Sequence, residues 1–235
     1  MRGILFDKDG TLIDFDSTWL PVYRTVVLHL ADGDQKTATR MLERSGFDAR
    51  SGRSRSGSII AAGTTDEMVA CWRPDLKGEA FAGAIAQVDE MFIAGALDNL
   101  TPITDLAALF TRLKQDGCCL GISTNDVTRS AYACFDHLEL TGQLDFITGY
   151  DGVARAKPAP DMALAFCAAC QIEPKDIVVV GDNIHDLEMG VAAGAGLNVG
   201  VLTGGAARDE FGTLADIVLE SVADLPDMLA ESFPA

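Results

Sequence analysis

Residues 2–11 read RGILFDKDGT: an apolar run through Ile4, Leu5 and Phe6, then two aspartates around a lysine, then Gly10 and Thr11. So short a run, ending in acidic residues and a glycine, predicts a buried strand and a tight turn. Beyond Asp14 the pattern changes to helical spacing over 17–31, 34–45, 58–71 and 77–95, interrupted by a Ser/Gly/Arg-rich loop at 50–57. From about residue 101 a regular alternation takes over. Helices are expected over 104–116, 127–140, 160–171 and 185–194, and strands over 118–123, 144–148, 176–181, 197–201 and 216–219. Apolar strands alternating with helices specify a parallel sheet covered on both faces. The first strand belongs to that sheet but is separated from the rest by about 85 residues of helical character. The expected fold is therefore α/β: a doubly wound parallel sheet from residues 1–14 and 99–235, with an α-helical cap inserted at 15–98.

The chain has 235 residues, 48% of them hydrophobic, which is enough for one large core and a smaller insertion. It carries 18 basic against 35 acidic residues, a net charge of −17, and such a chain repels nucleic-acid backbones and anionic lipid. An anionic small substrate needs a metal or a local positive cluster to reverse that field. No secretory signal is visible, and no apolar run is expected to reach the roughly 18 residues of a bilayer span. Cys71, Cys118, Cys119, Cys134, Cys167 and Cys170 are scattered through apolar segments and read as reduced thiols of a cytoplasmic protein. Cys167 and Cys170 form a CxxC, but it lies within an Ala-rich helical stretch and no second pair has zinc spacing. The protein is expected to act as a monomer or homodimer on a small molecule, with neither nucleic acid nor membrane as partner.

In a doubly wound sheet ligands gather at the carboxyl ends of the strands. The first strand delivers Asp7-Lys8-Asp9-Gly10-Thr11 there, and the second ends in Ser123-Thr124-Asn125. Lys157 follows the third, and Gly181-Asp182 with Asp186 ends the fourth. Four carboxylates on one rim repel one another unless a cation sits among them, and Mg²⁺ suits all-oxygen donors. Asp7, at the last strand position, can bind metal through one oxygen and attack phosphorus with the other. Asp9 points to the same side and can serve as general acid, then base. Gly10 and Thr11 form the turn that brings backbone N–H groups to a phosphate, Thr124 and Asn125 donate to its oxygens, and Lys157 offsets charge in the transition state. Taken singly each is an ordinary residue: a turn, a strand-end hydroxyl, a surface lysine, a helix cap. Their succession at strand ends is what points to chemistry.

With these motifs in place the sequence resembles the phosphatase branch of the haloacid dehalogenase superfamily. The matching stretches are DKDGT at Asp7–Thr11, Thr124 within GISTN, Lys157 within AKPAPD, and GDNIHD at Gly181–Asp186. The resemblance implies an aspartyl-phosphate on Asp7 and acid/base work by Asp9. It also implies Mg²⁺ held by Asp7, the Asp9 carbonyl and Asp182, with Asp186 in support through water or Lys157. Lys8 and Asn183 depart from the commonest pattern, the first replacing an apolar residue and the second a Thr or Ser.

The implied activity is hydrolysis of a small phosphate monoester, in the manner of the phosphoglycolate phosphatase-like group. A sugar phosphomutase shares all four motifs. A response-regulator receiver also pairs acids with a Thr and a Lys, but it lacks a long cap. In the cap, Arg50, Arg53 and Arg55 form a positive spot, and Arg53 is the candidate reader of a second anionic group on the substrate. Trp19 and Trp72 are expected to pack, and His185 to point along its helix start rather than into the site. The glycines of 194–200 precede a strand and so do not form a dinucleotide fingerprint.

Overall fold

In a computed structural model of the chain, which describes residues 2–55 and 57–232, the elements alternate as follows. β1 (Gly3–Phe6) is followed by α1 (Phe15–Leu30), α2 (Gln35–Ser45), β2 (Phe47–Asp48), β3 (Arg53–Ser54), α3 (Ile59–Ala62), α4 (Thr65–Trp72) and α5 (Gly78–Asn99). Then come α6 (Leu106–Gln115), β4 (Cys119–Ser123), α7 (Thr128–His137), β5 (Phe146–Thr148), α8 (Asp161–Cys170), β6 (Ile177–Gly181), α9 (Ile184–Ala193), β7 (Leu197–Val201), β8 (Ile217–Leu219) and α10 (Leu225–Ser232). The main sheet runs β5-β4-β1-β6-β7-β8, parallel throughout.

β1 is central because it is apolar on both faces. Ile4 and Phe6 join one buried cluster with Phe110, Phe135 and Val180, while Leu5 joins Met162, Phe166 and Val179 on the other side. A strand covered on both sides must be apolar at every position, and all four β1 residues are buried. The register aligns Phe6 with Ile122 of β4 and with Val180 of β6. The chain therefore leaves the sheet at Asp7 level with the ends of both neighbours.

The helices between β1 and α6 have a core of their own, built on Trp19, Tyr23, Trp72, Val88 and Phe92. The Tyr23 and Phe92 rings stand 5.5 Å apart, nearly perpendicular. Two expectations for this insertion are corrected. The stretch 58–71 is two helices, because Gly63 turns the chain and Thr64 opens α4 with a capping box to Glu67. Part of the expected loop at 50–57 is a strand: Arg53–Ser54 pairs antiparallel with Phe47–Asp48, Phe47 opposite Ser54 and Asp48 opposite Arg53, and residues 49–52 turn between them. A third correction concerns α5, whose 22 residues have a mean hydropathy of 1.3 over their most apolar window, long and apolar enough by composition to cross a bilayer. Its Val88, Phe92 and Ala96 instead fill the core of the insertion.

The chain leaves and re-enters the sheet domain side by side. Asp14 N–H donates to the Thr101 carbonyl at 2.7 Å, Ile103 N–H donates to that of Leu12 at 2.9 Å, and Ile13 bridges to Pro102. All six cysteines are free, and the Cys167/Cys170 pair lies in α8. Gly194 caps α9 in the left-handed conformation, ahead of β7.

Candidate active site

Asp7 sits at the tip of β1, its N–H bonded to the Val180 carbonyl at 2.8 Å. Lys157, from the segment after β5, reaches it: the Nζ lies 2.7 Å from Asp7 Oδ1 and 2.6 Å from Asp186 Oδ1. Asp186 stands in the first turn of α9, where Asn183 N–H also donates to it at 3.1 Å. Asp182 is held between Thr11 Oγ1 at 3.3 Å and the Gly205 N–H at 3.2 Å. Asp7 thus comes from the end of β1 and both Asp182 and Asp186 from the end of β6, each fixed by groups that donate to it. Gly10 closes the turn with φ +93°, and a Cβ there would meet Asp182 Oδ2 at 2.5 Å, so glycine is required on both counts.

Oxygens of Asp7, Asp182 and Asp186 lie within 4.8 Å of one another, all three residues buried. Burial pushes the Asp7 carboxyl up to about 7 against the pull of Lys157, with Asp186 and Asp9 adding repulsion. Burial, Asp7 and Asp186 likewise push Asp182 well above the usual carboxylate range. Burial alone would lower Lys157, but Asp186 and Asp7 more than reverse that. One ammonium among three crowded carboxylates leaves negative charge uncompensated. An all-oxygen donor set with surplus charge fits a hard divalent cation such as Mg²⁺.

Asp9 turns the other way. Its Oδ1 accepts from Trp19 Nε1 of α1 at 2.6 Å, and its Oδ2 pairs with Lys8 Nζ at 2.6 Å. Lys8 is 2% exposed, lies 3.4 Å from Asp126 Oδ2, and sits under the Trp19 ring at 5.0 Å from its centroid. Thr124 Oγ1 accepts from the Asp126 N–H at 3.1 Å. Asn125 ties three parts together: its Nδ2 donates to the Ala62 carbonyl of the insertion at 2.8 Å, and its Oδ1 accepts from the Lys157 N–H at 3.2 Å.

A cleft of about 60 Å³ opens over this cluster, with Asp7, Asp9, Thr124, Asn125, Lys157 and Asp182 on the sheet side. The insertion supplies the opposite wall, through Phe15, Trp19, Ile60, Ala61, Met68 and Phe92. Thr11 is buried and spends its hydroxyl on Asp182, so its side chain supports an acid. Two readings of the sequence are corrected here. Arg53 is not part of the cleft wall: its side chain is 70% exposed and its Nε bonds Asp16 at 2.9 Å. His185 does line the cleft, its Nδ1 paired with Asn183 Oδ1 at 3.1 Å.

The sequence reading also missed residues. Trp19 does more than pack, since it touches Asp9. Asp126 is the second partner of Lys8. In the Thr203-Gly204-Gly205 turn, the Thr203 hydroxyl donates to the Gly10 carbonyl at 2.6 Å and Gly205 holds Asp182. That turn was open to the same rule as the others, because it follows the carboxyl end of β7.

A fold with these four strand-end motifs defines a class, and the comparisons name it. The profile of the haloacid dehalogenase-like hydrolases matches residues 1–194, and the chain belongs to that family. Among curated relatives, the N-acetylmuramic acid 6-phosphate phosphatase of Pseudomonas putida is 22% identical over 194 residues, covering 83% of this chain and 80% of its own. The phosphoglycolate phosphatase of Escherichia coli is 24% identical over 240 residues, covering 96% and 91%. Among solved structures, a beta-phosphoglucomutase from Clostridium difficile superposes with a TM-score of 0.71 at 15% identity, covering 99% of this chain and 96% of its own. The protein is a phosphoric monoester hydrolase of this family.

Proposed function

We propose that the protein hydrolyses a small phosphate monoester in two displacements, dependent on Mg²⁺, in the manner of the phosphoglycolate phosphatase-like group. Residues 1–14 and 99–235 carry the chemistry in this reading, and 15–98 act as the cap that closes over the substrate. The supporting observation is the convergence of Asp7, Asp182 and Asp186 oxygens within 4.8 Å, with Lys157 bridging Asp7 and Asp186. Asp7, Asp182, Asp186 and the Asp9 carbonyl would hold the metal, which when bound supplies positive charge against a phosphoryl group.

The other steps belong to the chain. A carboxylate oxygen of Asp7 attacks phosphorus while the bond to the leaving oxygen breaks, and Asp9 gives that oxygen a proton. To reach it, the Asp9 side chain turns from Trp19 and Lys8, which engage both its oxygens. Water then attacks the aspartyl-phosphate, its proton passing to Asp9. Phosphate departs, and Asp7 is restored as a carboxylate. Lys157, Thr124 and the Asn125 N–H steady the phosphoryl oxygens. The free thiols suit a reducing, cytoplasmic setting.

The phosphomutase alternative is not carried forward. It requires a seat for a second phosphate, and no cationic side chain among the described residues faces the cleft from the insertion. The test is Asp7→Asn with 4-nitrophenyl phosphate. Turnover is expected to fall by about 10³-fold or more with an unchanged circular dichroism spectrum. Substantial residual hydrolysis would remove the nucleophile and the reading with it.

A further inference from the structure

The cleft has two chemically different walls. Asp7, Asp9, Asp126, Asp182 and Asp186 all line it, and Lys157 is the one lysine or arginine among the described residues that does so. Lys157 is already committed to two carboxylates, and Lys8, below the surface, to two more. The opposite wall is largely apolar, through Phe15, Ile60, Ala61, Met68 and Phe92, with Thr65 beside them, the Tyr23 hydroxyl given to the Ile60 carbonyl and the indole edge of Trp19 to Asp9. The arginines that could have reversed the field are elsewhere. Arg53 is bound to Asp16, and Arg55 donates to the Glu43 carbonyl at 3.2 Å.

A leaving group seated against that wall loses its water and receives no ion partner in return. Desolvating an unpaired carboxylate or second phosphate is costly. A cationic leaving group fares little better. Asp126, the carboxylate of the cleft that belongs to none of the four motifs, already faces Lys8.

We propose that the enzyme selects monophosphate esters of small uncharged alcohols, its apolar cap wall discriminating against leaving groups that carry a carboxylate or a second phosphate. The inference rests on the phosphatase reading above and narrows it. It separates this chain from the phosphoglycolate phosphatase it resembles, whose named substrate carries a carboxylate on the leaving group.

The experiment uses the wild-type protein and three esters of nearly equal size: phosphoglycolate, its amide 2-amino-2-oxoethyl phosphate, and phosphoethanolamine. They place a negative, a neutral and a positive group at the same distance from phosphorus. At pH 8, where an ordinary imidazole is uncharged, kcat/KM for the amide is expected to exceed that for either charged ester by about tenfold or more. A smaller ratio, or a preference for either charged ester, overturns the inference. If 4-nitrophenyl phosphate is hydrolysed in an Asp7-dependent way meanwhile, the phosphatase reading stands without it; if no ester is turned over, both fall. Ala61→Lys, which puts a cation on the apolar wall, is expected to shift the phosphoglycolate-to-amide ratio at least tenfold toward phosphoglycolate. An unmoved ratio in a folded variant would locate discrimination away from that wall and overturn the assignment.

Discussion

Replacing Lys8 by methionine, an apolar residue of similar length, isolates one interaction on which this site depends. Its ammonium lies 2.6 Å from Asp9 and 3.4 Å from Asp126, with side chains 3%, 16% and 8% exposed in that order. Lys8→Met leaves two carboxylates without their cation and removes a contact with the Trp19 ring. Breaking a buried pair by removing one partner costs about 3–5 kcal/mol, and the cation–π contact adds about 0.5–2. That is a large share of the roughly 5–15 kcal/mol that holds a domain together. At about 2–4 °C per kcal/mol for a chain of this size, the thermal midpoint should fall by roughly 7–28 °C.

The loss should depend on pH. Burial raises Asp126 even with Lys8 present, Lys8 opposing and Asp9 reinforcing it. Without Lys8 the folded protein holds that carboxyl further above its unfolded value. A raised carboxyl destabilises the fold once it ionises, so the penalty is larger at pH 8 than at pH 5 and shrinks as pH falls toward the unfolded value near 4. The assay is thermal unfolding at pH 8 and pH 5 with Mg²⁺ held constant. The double variant Lys8→Met/Asp126→Leu, which removes the stranded charge, should recover at least half of the loss. A midpoint within 2 °C of wild type, or a double variant worse than the single one, would refute the account.

Chelation should abolish turnover, and adding Mg²⁺ should raise the thermal midpoint as surplus charge among the carboxylates is neutralised; an unchanged midpoint would contradict the metal site. Asp182→Asn should raise the Mg²⁺ concentration needed for half-maximal activity by at least about 10–100-fold. Gly10→Ala should lose activity by about 100-fold or more, since both the left-handed backbone and the contact with Asp182 oppose a methyl group; normal turnover would show that the turn adapts. Arg53→Ala should change KM by less than about twofold across anionic and neutral esters, because its partner is the surface residue Asp16.

The sheet was readable because its signals are local. β7 is Leu197–Val201 as the apolar run predicts, and the other expected strands differ by one or two residues at their ends. The four motifs could be placed because each lies next to a strand end, and a parallel sheet brings those ends together whatever covers them. What escaped notice depends on how the insertion meets the sheet. No periodicity tells that Trp19 reaches Asp9, or that Arg53 finds Asp16 across 37 residues. The break at Gly63-Thr64 was visible as a glycine before a capping box, yet apolar spacing on both sides of it suggested one continuous helix. Lys8 looked like a deviation at one position because its partner, Asp126, lies on the next strand's loop.

The paired segments around Ile13 and Pro102 set the mechanics of everything between them. Two linkers bonded to each other cannot slide independently, so the inserted helices are tied to the sheet at that short ladder as well as through the Trp19–Asp9 and Asn125–Ala62 bonds. The same adjacency makes the insertion portable. Its two ends begin and finish at one place, so exchanging it for another set of helices asks the sheet to span no new distance and closes no new loop. What an exchanged set would have to supply anew are the bonds by which the present helices reach the machinery, Trp19 to Asp9 and Ala62 to Asn125.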